Sequence, residues 1–201
     1  MVEFKIFNKV DKLYIGRSFI INTLALLFVC PSLIGILFKN ININTTFAAT
    51  FGIIACLLVL SGIFIKLFVQ FKYEKLKGYF EGTIEFHENK IKVDKIEYEI
   101  EKIKKIEIYA GDYKGKWKPT GKTEYDNALS NGVGNVLRII MENENETITI
   151  YFEQNVKNEI KIAEKQLVNY YKEGKIRWLH LIDILAINDY DEIQQFKSTI
   201  R

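Results

Sequence analysis

Cysteine and histidine are scarce in this chain, with two of each among 201 residues. Cys30 and Cys56 both fall inside long apolar runs, which excludes a disulfide framework, a zinc cluster and a thiol activated in an electropositive cleft. His87 sits in an expected turn and His180 in an expected apolar helix, neither with clustered Cys, Asp or Glu at ligand spacing, so both read as structural and no metal site is expected. Asp183 lies among apolar residues with no accompanying nucleophile. The glycine pairs Gly111/Gly115 and Gly132/Gly134 lack the strand, spacing and helix of a phosphate cradle. The residues therefore point to no enzyme, no metal and no cofactor.

Charge is missing too, but only locally. Residues 18–38 (SFIINTLALLFVCPSLIGILF) and 47–65 (FAATFGIIACLLVLSGIFI) contain no ionisable group apart from cysteine. At about 1.5 Å rise per residue, a helix over either reaches roughly the thickness of a bilayer's hydrocarbon core. Leu67, Phe68 and Val69 extend the second run past Lys66, whose stem can lift its ammonium to the interface. A cleaved signal peptide fits less well, because the first run is long, starts well inside the chain and has no small-residue cleavage pattern. The expectation is a transmembrane helical hairpin over residues 18–71, preceded by a cytoplasmic N-terminal segment, residues 1–17. Lys5, Lys9, Lys12 and Arg17 flank one end and Lys66, Lys72, Lys75 and Lys77 the other, while the short connector carries only Lys39. Both termini should then be cytoplasmic, in a multi-pass inner-membrane protein. Ala48, Gly52 and Cys56 recur every fourth residue, a small-xxx-small stripe, and the first run offers Asn22, Pro31 and Ser32. These could pack the hairpin on itself or support a homo-oligomer.

Residues 1–77 hold nine Lys/Arg against three Asp/Glu, which leaves 19 basic and 22 acidic residues for 78–201. The basic excess is a collar suited to anionic lipid. The mildly acidic remainder argues against general nucleic-acid binding.

Residues 78–201 should form one cytosolic domain. GTIEFHENKIKV alternates apolar and polar positions around a turn, KIEYEI and KIEIYA repeat the alternation, and NVLRIIM and TITIYF are joined across Glu142–Glu146. Successive antiparallel strands suggest a meander closing into a small barrel. From Asn155 to Glu173 the period lengthens to that of a helix, with Gly174 as its stop. A second helix is expected over IRWLHLIDILAI, with Ile176, Leu179, Ile182 and Leu185 on one face, and a terminal one capped by Asn188.

This order, carried by GTIEFHENKIKV, KIEYEIEKIKKIEIYAGDY, NGVGNVLRIIMENENETITIYF and NEIKIAEKQLVNYY, resembles the bacterial PH-like domains that follow paired transmembrane helices. The resemblance implies a membrane α plus soluble α+β protein, its antiparallel barrel or roll closed by a C-terminal helix. It implies non-catalytic binding of a protein, peptide or lipid partner. The HENK turn lacks the basic cluster that clamps inositol phosphates in the eukaryotic relatives.

The remaining unusual stretch is residues 111–135, where Lys114, Lys116, Lys118 and Lys122 surround Trp117 among five glycines. Its bland reading is a solvated hairpin. Its sharper one is a ligand site, with lysines on phosphate and the indole stacked on a base or set in the lipid interface. In NGVGN the glycines should permit φ > 0 before the next strand. The layout also resembles the two-span β-barrel effectors of cyclic-oligonucleotide antiphage systems, which makes a ligand-gated, membrane-disrupting effector the alternative function.

Overall fold

The computed structural model describes residues 2–10, 16–37, 45–118, 125, 127–142 and 146–200. The chain divides into two compact units. One contains residues 1–11, 76–116 and 130–201; the other contains 12–75 and 117–129.

The first unit is built on an antiparallel sheet of seven strands. These are β1 (Val2–Lys9), β2 (Gly78–Phe86), β3 (Lys90–Val93), β4 (Ile96–Glu99), β5 (Ile103–Tyr109), β8 (Asn135–Met141) and β9 (Thr147–Phe152). Between β5 and β8, β6 (Lys114–Trp117) and β7 (Leu129–Asn131) form a separate two-stranded sheet. The order β4-β3-β2-β1-β9-β8-β5 places the amino-terminal strand in the middle. Residues 2–9, which the sequence assigned to an N-terminal segment 1–17 apart from residues 78–201, are a strand of this sheet, held in the fold by the buried Phe4, Ile6 and Phe7. Burying each such side chain contributes about 1.5–3 kcal/mol.

The barrel expected from the strand count is not closed. β4 and β5 are the two edges, and the outer edge of β5 is occupied from elsewhere: Ile106 N–H donates to Lys175 O at 2.9 Å and Ile108 N–H to His180 Nε2 at 2.9 Å. These bonds satisfy amides that barrel closure would otherwise have paired. The strand order also departs from a meander, since β1 enters between β2 and β9.

Three helices follow the sheet: α3 (Glu164–Lys172), α4 (Trp178–Ile184) and α5 (Tyr190–Ile200). The expected start of the first at Asn155 is delayed. Asn158 is left-handed at φ 59°, and a 3₁₀ turn over Glu159–Ala163 precedes α3. Ile160, Ala163, Leu167 and Tyr170 are completely buried, with the Tyr170 hydroxyl donating to His87 O. Gly174 ends α3 at φ 71°, where Lys175 N–H returns to Tyr170 O at 2.9 Å. Of the four positions expected on one face here, Ile176, Ile182 and Leu185 are buried and Leu179 is exposed; Arg177 is extended, so α4 begins at Trp178, and Leu181 and Ile184 are buried as well. At α5 the cap is Asp189 instead of Asn188: its Oδ1 accepts from the amides of Asp191 and Glu192 at 2.9 and 3.3 Å.

The core is continuous from the sheet to these helices. Phe4 lies at its centre, edge-on to Phe86 and Phe152 with ring centroids 5.9 and 5.4 Å apart.

The second unit contains α1 (Arg17–Leu37) and α2 (Thr45–Val69), which touch each other. Within α2, Ala49–Val69 has a mean hydropathy of 2.6 and is long and apolar enough to cross a membrane. Only 17% of that window is buried. Ile53, Leu57, Leu60, Ile63, Phe64, Leu67 and Phe68 are all exposed, which a core helix of an aqueous domain would not show.

Candidate functional site

The first unit opens at one seam in its sheet. β2 sets two residues, Glu81 and Gly82, opposite the single Ile6 of β1, because the pairing jumps from Lys5↔Thr83 to Phe7↔Phe80. This is a β-bulge, and Gly82 occupies it at φ 81°, a conformation that favours glycine. A Cβ there would lie 3.2 Å from Cβ of Asp94, itself left-handed at φ 53° and anchored by its amide to Thr83 O at 2.7 Å. On its other side β1 meets β9 at one residue pair, Ile6↔Phe152, reinforced by Glu153 N–H donating to Lys5 O at 3.0 Å. Past that pair the two strands part.

The gap is a cleft of about 440 Å³. Its walls include Asn8 and Lys9 of β1, Glu81 and Asp94 beside the bulge, and Thr149 and Tyr151 of β9. Lys9 Nζ stands 3.4 Å from the centroid of the Tyr151 ring, a cation–π contact. The described residues lining the cleft include no histidine or cysteine. The cleft thus has two strands for walls, one cation held on an aromatic face and two carboxylates.

Beside β6 lies a second constellation, polar, with the side chains of Asp112, Ser130, Asn135 and Gln154 buried. Asp112 Oδ2 accepts from Ser130 Oγ at 2.6 Å and from Gly134 N–H at 2.8 Å. Asn135 Oδ1 accepts from Asp112 N–H and from Gln154 Nε2, both at 2.9 Å. Gln154 Nε2 also donates to Ala110 O and Asp112 O, and Gln154 Oε1 accepts Ile160 N–H at 2.9 Å. Gly132 has φ 76°, and a Cβ there would lie 2.1 Å from Gln154 O. The cluster clamps both ends of the 111–135 stretch and the start of the helical region. Its parts are scattered in sequence and none carries a motif, so sequence reasoning missed it; only the paired glycines signalled it.

The lysines of that stretch are partly engaged. Lys116 Nζ donates to Gly111 O at 2.6 Å, and Lys118 Nζ lies 2.9 Å from Glu74 Oε1. Lys114 and Trp117 are exposed, and Lys122 lies outside the described residues. Of the expected helix-packing residues, Asn22 and Cys56 are exposed and Gly52 is half-buried, while the side chain of Ala48 lies outside the described set. Among the described residues of α2, Ala55, Gly62 and Val69 are buried, seven apart. A Cβ on Gly62 would meet the Tyr125 ring at 3.0 Å.

On the sheet, nearly buried Glu85 accepts from Lys92 Nζ at 2.7 Å and sits 3.1 Å from His87 Nε2. The hydrogen bond from Lys92, then that with His87, holds its carboxyl below the ordinary range, and Lys92 is raised in turn. Among the described residues no group of three or more His, Cys, Asp or Glu is placed to hold a metal ion. Comparison with protein-family models, curated proteins and solved structures returns no match.

Proposed function

We propose that this chain is a non-catalytic inner-membrane binding protein, in which α1 and α2 cross the bilayer as a hairpin and tether a cytosolic PH-like domain. One observation carries the reading: Lys9 pairs with Gly78, and Val10 N–H donates to Lys77 O at 2.9 Å. The chain leaves the sheet and returns to it at adjacent points. A folded domain lies on one side of a membrane, so the segment between must cross an even number of times, and an α2 that spans requires α1 to span with it. Lys9, Lys12 and Arg17 beside Lys72, Lys75 and Lys77 favour the cytoplasm for that side.

The partner best suited to the domain is an extended peptide segment of another protein, docked in the cleft where β1 and β9 part. Backbone pairing would supply affinity, and Lys9, Glu81, Asp94 and Tyr151 selectivity. The nucleotide-gated alternative has less support, since Lys116 and Lys118 are held by groups of the chain itself.

The test is to reconstitute the full chain in nanodiscs and pan it with a random octapeptide library. Enriched peptides should bind the wild type and lose at least tenfold in affinity to Thr149→Arg, which fills the cleft from an exposed position, while Glu101→Arg on a distant turn binds normally. Equal binding by both variants would remove the cleft. Carbonate extraction and reporters fused before residue 1 and after residue 201 test the anchor separately; reporters on opposite faces would overturn the hairpin.

A further inference from the structure

The second unit contains a cavity of about 500 Å³ lined by Arg17, Ser61, Phe64, Ile65, Phe68, Val69 and Lys72. Its chemistry is divided. Arg17 opens α1 and Lys72 follows the end of α2, so both cations belong to the end of the helices next to the basic collar. Phe64 and Phe68, one turn apart on α2, are exposed, and Ile65 lies between them in sequence. Among the described residues neither Arg17 nor Lys72 has a carboxylate within salt-bridge reach. Other lysines of this unit do have polar partners: Lys118 is held by Glu74.

From this we infer that the cavity is a binding site for one anionic phospholipid, its phosphodiester between Arg17 and Lys72 and an acyl chain along Phe64, Ile65 and Phe68. The inference rests on the reading of α1 and α2 as membrane helices. Charge complementarity and position select this occupant. A guanidinium and an ammonium both line the cavity, at the helix end that the membrane reading sets at the level of the lipid phosphates, and basic pockets beside membrane helices on the cytoplasmic side are suited to lipid headgroups. The aromatic wall continues into the depth occupied by acyl chains, which a soluble phosphate or nucleotide could not use. Ser61, partway along the groove, is small enough to leave room for a chain.

The experiment uses the full chain in nanodiscs containing equal amounts of phosphatidylglycerol and phosphatidylcholine, followed by release and native mass spectrometry. The wild type should retain one phosphatidylglycerol in at least tenfold preference to phosphatidylcholine. Arg17→Gln combined with Lys72→Gln should abolish the preference. Ser61→Phe should reduce retention of both lipids while leaving the charges in place. Addition of 10 mM inorganic phosphate should not displace the lipid; displacement would assign the site to a free phosphate and overturn the proposal. Equal retention of the two lipids by the wild type, or an unchanged preference in the double variant, would overturn it as well. A carbonate-resistant chain without lipid preference sinks the lipid site and leaves the anchor standing, whereas a chain stripped by carbonate sinks the anchor itself.

Discussion

The imidazole of His180 accepts the backbone N–H of Ile108 through Nε2 at 2.9 Å. A helix thereby occupies the free edge of β5, and the bond exists only while that nitrogen is unprotonated. Burial pulls the His180 pKa below its ordinary 6.5, against the opposing pull of Glu107 and Asp183 and with help from Lys105. The unfolded chain therefore takes up a proton near pH 6.5 that the folded chain refuses until lower pH, so this contribution to stability is present above 6.5 and declines as pH falls toward the folded value. Urea unfolding of the full chain in detergent, followed by tryptophan fluorescence, should show a falling midpoint between pH 7 and pH 5. His180→Leu should flatten that dependence and cost about 1–3 kcal/mol at pH 7 by orphaning the Ile108 amide. An equally steep dependence in the variant would show that another group is responsible.

Gln154 uses both ends of its side chain on buried partners: Ala110 O, Asp112 O, Asn135 Oδ1 and the Ile160 amide. Gln154→Ala strands several of them at once, and the expected loss is about 3 kcal/mol or more. Gln154→Glu keeps an acceptor for Ile160 but loses the donor and brings in charge, so it should be no milder. Denaturation midpoints check both, and a variant within about 0.5 kcal/mol of wild type would show that water replaces the amide.

The Glu85–Lys92 pair sets an acid limit. Glu85 is held below its ordinary 4.5 chiefly by Lys92, so the stability it contributes is present above that value and is lost as pH falls through the lower, folded pKa. Lys92→Met removes the larger of the two hydrogen bonds. Its acid-unfolding midpoint, measured by circular dichroism, should move to higher pH, with His87 preserving part of the effect. No movement would mean that His87 alone fixes the carboxylate.

Much of the sheet was legible because alternation is local. GTIEF, KIKV, NVLRIIM and TITIYF each announce one buried face; the last three match their strands, while β2 begins four residues before GTIEF, at Gly78. β1 has the same alternation in Phe4 and Ile6, but its partners come after the apolar runs, and no local signal ties it to them. Asp189 was missed as a cap by one position beside Asn188, a choice settled by which side chain reaches the amides of Asp191 and Glu192. The cleft was illegible for a stronger reason: it arises where a bulge at Gly82 meets a one-pair seam, and both are properties of pairing between distant segments.

From the place of β1 follows a prediction about dissection. Residues 76–201 alone lack the strand that joins β2 to β9 and should be aggregation-prone, with a gap where Phe4, Ile6 and Phe7 belong. Joining residues 1–11 to 76–201 through a short Gly/Ser linker restores that strand beside the place where Val10 meets Lys77. Only the joined version should be soluble and unfold cooperatively. A well-folded 76–201 fragment would show that β1 is dispensable.

The junction of Lys9 with Gly78 also orders events at the ribosome. β1, the middle strand of the finished sheet, precedes both apolar helices in the chain while its neighbours β2 and β9 follow them, so its pairing waits until those helices have emerged. Pairing of β1 is thereby deferred until the chain between it and β2 has been made, and the closing of β1 onto β2 works as a clasp that fastens last.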